Sequence, residues 1–226
     1  MRQALLAILL AGALTAQTKS DNATPAAVPD LLKPATLNQT APAAFRVKLT
    51  TTKGDVIVEV TRDWAPLGAD RFYNLVQAGF FTDCSFYRTI AGFMTQFGIS
   101  ARPEVTRAWG DATIPDDPVK QSNTRGKITF ATAGPNTRST QFFINFGDNA
   151  RLDALGFAPF GEVVEGMDVV DKIYPGYDAA PADQYLLIQE QGKAFLDKAF
   201  PMLDRILTAA IVPVPAEPKP AATPEK

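Results

Sequence analysis

Arg88 and Gln96 stand eight residues apart in "SFYRTIAGFMTQFGIS", residues 85–100, a run dominated by aromatic and aliphatic side chains. If residues 86–90 form a strand, Phe86, Arg88 and Ile90 point to one face and Tyr87 and Thr89 to the other. A turn at Ala91-Gly92 then returns the chain, with Met94 and Gln96 sharing a face. Such a hairpin gathers a guanidinium, a carboxamide and a thioether around one hollow. An arginine in this company is paired with a carboxylate, snorkels to solvent or is held for a ligand. Spacing alone leaves a structural ion pair and a ligand site both open.

Composition narrows the remaining chemistry. The 226 residues include no histidine, so every mechanism that needs an imidazole base is excluded, the serine and cysteine triads among them. The single cysteine, Cys84, follows Asp83, whose charge opposes thiolate formation, and it reads as a small core residue rather than a nucleophile. Asp116 and Asp117 lie between Pro115 and Pro118 and read as a solvated turn rather than a calcium or acid-base site. No paired spacing suggests a metal, and nothing calls for a cofactor. A net charge of -2, from 22 basic and 24 acidic residues, supplies no bulk field for nucleic acid or anionic membrane.

The elements that must position these residues follow from periodicity. "FRVKLTTTKGDVIVEV" reads as two strands around Lys53-Gly54-Asp55, with Val56, Val58 and Val60 on one face. In "APLGADRFYNLVQAGFF", Pro66 opens a helix whose stripe is Ala69, Phe72, Tyr73, Leu75 and Val76, and Gly79 stops it. Strand-like pieces recur at Phe86–Ile90, Phe93–Phe97, Ile128–Thr132, Phe142–Phe146 and Phe160–Val163, separated by Gly, Pro and Asn turns. Many short strands with few helices predict a closed, mainly antiparallel barrel. A short helix is expected over Gly166–Ile173. An amphipathic one over Asp183–Phe200 buries Leu186, Leu187, Phe195, Leu196, Ala199 and Phe200, and "RILTAAIV" reads as a final strand.

The ends differ from the middle. Met1-Arg2 precedes the apolar Leu5–Leu14 and the small Thr15-Ala16, the pattern of a secretory signal cleaved near Ala16, with an uncleaved anchor as the alternative; no stable membrane insertion is expected after cleavage. Residues 17–44 read as a flexible linker, and 213–226 as a disordered Pro/Ala-rich tail.

Taken together, "FYRTIAGFMTQ", "AGPNT", "TQFFINF" and "LDALGFAPFGEVVEGMDVV" resemble the cyclophilin family of peptidyl-prolyl isomerases over residues 45–175. The resemblance implies a closed eight-stranded antiparallel barrel capped by two helices, with the groove on its outer surface and residues 176–212 as a helical extension packed on the barrel. It places the catalytic arginine on Arg88, with Gln96 beside it. Phe93, Met94, Phe143 and Leu152 would hold the proline ring, and Ala131, Thr132, Ala133, Gln141 and Phe157 would complete the peptide site. The sequence departs from the family at Tyr87 and near Phe157, where histidines are common, and at Arg151, where many members have tryptophan. Weak inhibition by cyclosporin is expected from the altered rim. Phe97-Gly98-Ile99 replaces the usual two glycines and an acid, which leaves 99–124 unassigned.

The expected protein is a monomeric, exported isomerase, periplasmic or secreted, acting on proline-containing polypeptides. A weakly active peptide-binding or chaperone module with the same groove is the rival. A structural protein whose C-terminal helix docks a partner is the third reading.

Overall fold

The computed structural model describes residues 30–214. The signal pattern of 1–16 lies outside the described residues, as do part of the linker and nearly all of the tail. What is described of the linker lies against the fold. Leu31 and Ala41 are buried, and the backbone N–H groups of Gln39 and Ala41 donate to Asn74 and Asp70.

Strands β1 (Ala44–Thr51) and β2 (Gly54–Thr61) form the predicted hairpin, with Val47 opposite Val58 and Leu49 opposite Val56. Helix α1 (Pro66–Gln77) follows and buries Ala69, Phe72, Leu75 and Val76. Then come β3 (Cys84–Ser85), β4 (Arg88–Ile90), β5 (Met94–Phe97), α2 (Pro103–Trp109), β6 (Lys127–Phe130), β7 (Phe142–Asn145), β8 (Pro159–Glu165) and α3 (Met167–Val170). Helices α4 (Tyr185–Gln191) and α5 (Lys193–Ala199) lead to β9 (Arg205–Val212), the strand expected from "RILTAAIV".

All nine strands join one antiparallel sheet, in the order β3, β9, β1, β2, β8, β6, β7, β5, β4. This corrects the closed eight-stranded barrel. The sheet curls into a half-barrel, and no ladder among the described residues joins its end strands β3 and β4. Phe86 and Tyr87 alone separate those strands in the chain, so the turn of backbone between them takes the place of closing hydrogen bonds. That break also corrects the facing of this segment. Phe86 packs its ring on Phe97 in the core, away from the face of Arg88, because alternation does not run through an interrupted strand.

The unassigned 99–124 loop contains α2, whose Trp109 is buried and donates Nε1–H to the Leu31 carbonyl at 2.9 Å. The single helix expected over Asp183–Phe200 is two, because Gly192 adopts φ 58°, ψ -137° between them. A Cβ at Gly192 would collide with the Ala101 carbonyl, so only glycine permits this approach. The break rephases the helical stripe: Ile188 and Leu196 are buried, whereas Leu186 and Ala199 are exposed. No helix among the described residues is long and apolar enough to cross a membrane.

Asp117 is not the solvated turn residue expected of it. It is buried, accepts hydrogen bonds from the N–H groups of Leu67 and Gly68 at 3.1 and 2.8 Å, and pairs with buried Arg138 at 3.0 Å. Pro66 opens α1 without a side-chain cap of its own, and Asp117 supplies one from a distant loop. Asp117→Ala leaves Arg138 buried without this partner and should lower stability by about 3 kcal/mol. A urea titration checks it, and an unchanged midpoint would refute the capping role.

Candidate functional site

Strand alternation builds the site. On β5 and β7, Phe97, Phe142 and Ile144 face the core, while Met94, Gln96 and Phe143 face outward; Gln96 lies opposite Phe143 in the ladder and Arg88 lies opposite Gln96. Gly98 ends β5 at φ 108°, where a Cβ would strike the Thr140 carbonyl. This explains the glycine in the departing Phe97-Gly98-Ile99.

A hollow of about 280 Å³ opens on this face, lined by Arg88, Phe93, Met94, Gln96, Ala131, Thr132, Phe143, Leu152 and Phe157. These are nine of the eleven residues expected from sequence. Ala133 and Gln141 are not in its lining: Ala133 is exposed and donates its N–H to Thr137 Oγ1, while Gln141 lies behind the polar side. Phe157 stacks edge-on against Phe143, with ring centres 5.8 Å apart. Arg151 lays its guanidinium over the Phe93 ring at 4.7 Å.

None of the ion pairs among the described residues includes Arg88, which removes the structural ion-pair reading left open by spacing. Its Nη1 donates to Gln96 Oε1 at 3.2 Å. Gln96 Nε2 donates in turn to the Tyr87 hydroxyl at 2.5 Å and to Gln141 Oε1 at 3.3 Å, and the Tyr87 hydroxyl donates to Gln141 Oε1 at 2.5 Å. Burial holds the Tyr87 phenol protonated far above its usual range. Sequence reading noted Tyr87 as a departure and placed it on the face opposite Arg88, because its partners are remote in sequence: Gln96 lies on β5 and Gln141 just before β7. Cys84, fully buried, has its thiol pushed up to about 12 by desolvation and is a core residue, as expected.

The apolar side is clamped by residues the sequence did not single out. Leu152 sits on a 3₁₀ turn, Ala150–Leu155, whose Asp153 accepts hydrogen bonds from Ser122 Oγ, Asn123 N and Asn123 Nδ2 at 2.5 to 2.9 Å. Asn123 Nδ2 also donates to the Phe157 carbonyl at 2.8 Å. One buried amide thus ties together both groups that carry Leu152 and Phe157. No signal in "QSNTRG" announces this, since every partner is remote in sequence.

The family model described as cyclophilin type peptidyl-prolyl cis-trans isomerase/CLD matches residues 46–190. The chain belongs to the cyclophilin family. Its relatives include the peptidyl-prolyl cis-trans isomerase of Acinetobacter baylyi, 36% identical over 141 residues, covering 56% of this chain and 70% of that protein. Peptidyl-prolyl cis-trans isomerase B of Escherichia coli is 34% identical over 140 residues, covering 54% and 80%. A crystal structure of a cyclophilin type isomerase from Cryptosporidium parvum has the same fold, with a TM-score of 0.57 at 20% identity over 76% of this chain and 99% of that one. As a cyclophilin, the chain is a peptidyl-prolyl cis-trans isomerase by class.

Among the causes acting on Asp153, burial raises the pKa and is outweighed by the hydrogen bonds from Ser122 and Asn123, which leave it lowered. A depressed native value means that the ionised carboxylate contributes stability above the unfolded pKa of about 3.9, and that this contribution is lost as pH falls through the native value. Asp153→Asn should therefore be less stable than wild type at neutral pH, with the gap closing in acid. Urea midpoints across that pH range test it, and a constant gap would rule out an ionic clamp.

Proposed function

We propose that the chain accelerates cis-trans isomerisation of Xaa-Pro bonds in exported or unfolded polypeptides, with Arg88 and Gln96 acting at the peptide and the apolar hollow holding the proline ring. One observation carries this reading: an apolar hollow with an arginine at its rim, held by a carboxamide and paired with no carboxylate among the described residues. The leader-like pattern of residues 1–16 supports the exported setting.

The chemistry asks for nothing more elaborate. Amide resonance sets a barrier of about 18–20 kcal/mol, and its rotation transfers no proton and breaks no bond. As the imide twists, resonance is lost and the nitrogen regains a lone pair. A guanidinium N–H held beside that nitrogen then binds the twisted state better than the planar one, which is catalysis by differential binding. Phe93, Met94, Phe143, Leu152 and Phe157 would fix the ring while the flanking carbonyl rotates. A guanidinium offers N–H donors and needs no proton transfer to do so, so no histidine is needed.

The rival, a peptide-binding or chaperone module of low turnover, draws on Arg151, which lies over Phe93 and changes the rim. Turnover separates the two. Wild type should accelerate the cis-to-trans conversion of a short Xaa-Pro peptide, and Arg88→Ala should lose about 100-fold, the scale of removing one preorganised donor. A folded wild type that leaves the rate at its uncatalysed value would favour the binding module. Cyclosporin titrated against the activity should inhibit weakly; submicromolar inhibition would show that Arg151 leaves the drug's contact surface intact.

A further inference from the structure

The hydrogen bonds at the polar side of the groove run in one direction. A guanidinium can only donate. Arg88 therefore requires the oxygen of Gln96, which turns the Gln96 amide nitrogen toward Tyr87 and Gln141. Gln141 must then present its oxygen to those donors, and its own nitrogen is aimed outward. The acceptor that receives it is the hydroxyl of Tyr185, at 3.1 Å. Tyr185 opens α4, an element outside the strands that build the groove.

The same helix meets the network a second time. Ile188, one turn from Tyr185, is buried in an apolar cluster with Tyr87, Ile99, Leu196 and Leu203. Helix α4 thus packs beside the ring of one network member and accepts a hydrogen bond from another. Gln189 Nε2, at 3.2 Å, donates to the Tyr185 hydroxyl as well and holds it from within the helix.

We propose that Tyr185 is a positioning residue for the isomerase groove: it terminates the donor chain that starts at Arg88, and by fixing Gln141 it sets where Gln96 and Arg88 present their donors to the peptide. This rests on the isomerase reading above. It makes the segment between α3 and β9 part of the active site's support.

The test uses the full chain and a short Xaa-Pro peptide, with Tyr185→Phe, Gln141→Ala and the double variant beside wild type and Arg88→Ala. Tyr185→Phe should lower kcat/KM about threefold to tenfold, the range set by the net worth of one hydrogen bond, at an unchanged urea midpoint. In the Gln141→Ala background the same change should have no further effect. Unaltered turnover in Tyr185→Phe, or an equal loss in both backgrounds, overturns the proposal. The side-chain amide resonance of Gln141 supplies a readout independent of catalysis, and it should shift in Tyr185→Phe. If wild type proves inactive, the isomerase reading fails by itself, and an unmoved Gln141 resonance overturns the contact on its own.

Discussion

The ring of Phe142 touches five others, those of Phe72, Phe81, Phe97, Phe130 and Phe160, with centre separations of 4.3 to 5.8 Å. Everything on the outer face depends on that cluster. A strand residue and its neighbour point to opposite sides, so packing Phe142 inward directs Phe143 outward, and packing Phe97 inward does the same for Gln96. Aromatic rings at interior packing density leave little room for the strands to slide or roll. In the proposed mechanism, a donor that must meet a nitrogen only when the imide twists gains from this stiffness, because a misplacement of about 1 Å forfeits much of the rate.

On that rigid backing, polarity is set by one group. Arg88 cannot accept a hydrogen bond, and its demand for an oxygen passes through Gln96 to Gln141. Chains of this kind polarise one another, so each member is held more firmly than its own contact would hold it. Carboxamides and a deeply buried phenol do not change charge near neutral pH, and Tyr87 can stand in the network without any proton traffic. The lack of histidine in the chain is consistent with a reaction whose difficulty is resonance rather than acid-base chemistry.

The parts of this molecule that were legible in sequence are those where local periodicity and contact coincide. The β1–β2 hairpin, α1 and the strands around Phe93–Phe97 and Phe142–Phe146 follow from alternation, a helical stripe and glycine turns. Arg88, Met94, Gln96 and Phe143 fall on strands β4, β5 and β7, and turns and loops bring Phe93, Ala131, Thr132, Leu152 and Phe157 to the same hollow. What escaped was decided across the chain. Asp117 becomes a helix cap only because the N-terminus of α1 reaches it from 49 residues away. The α4–α5 break depends on the Ala101 carbonyl, and the open sheet depends on a two-residue gap that a strand pattern smooths over. Phe86 was assigned to the wrong face for that last reason.

The segment that leaves the sheet after α3 and returns at β9 is anchored at both ends. Strand β9 pairs with β1 along its length and with β3 at Cys84 and Ser85, two residues before the segment that carries Tyr87 and Arg88. The Phe86 N–H donates to the Asp204 carbonyl at 2.9 Å, so the return of the chain also pins the gap between β3 and β4. An excursion tethered this way cannot drift from the groove without disturbing the sheet. Its apolar side packs on Tyr87 and Ile99, and Tyr185 reaches Gln141 behind the groove's polar side. Such a segment reaches the groove's network through Gln141 and adds no residue to the lining of the hollow.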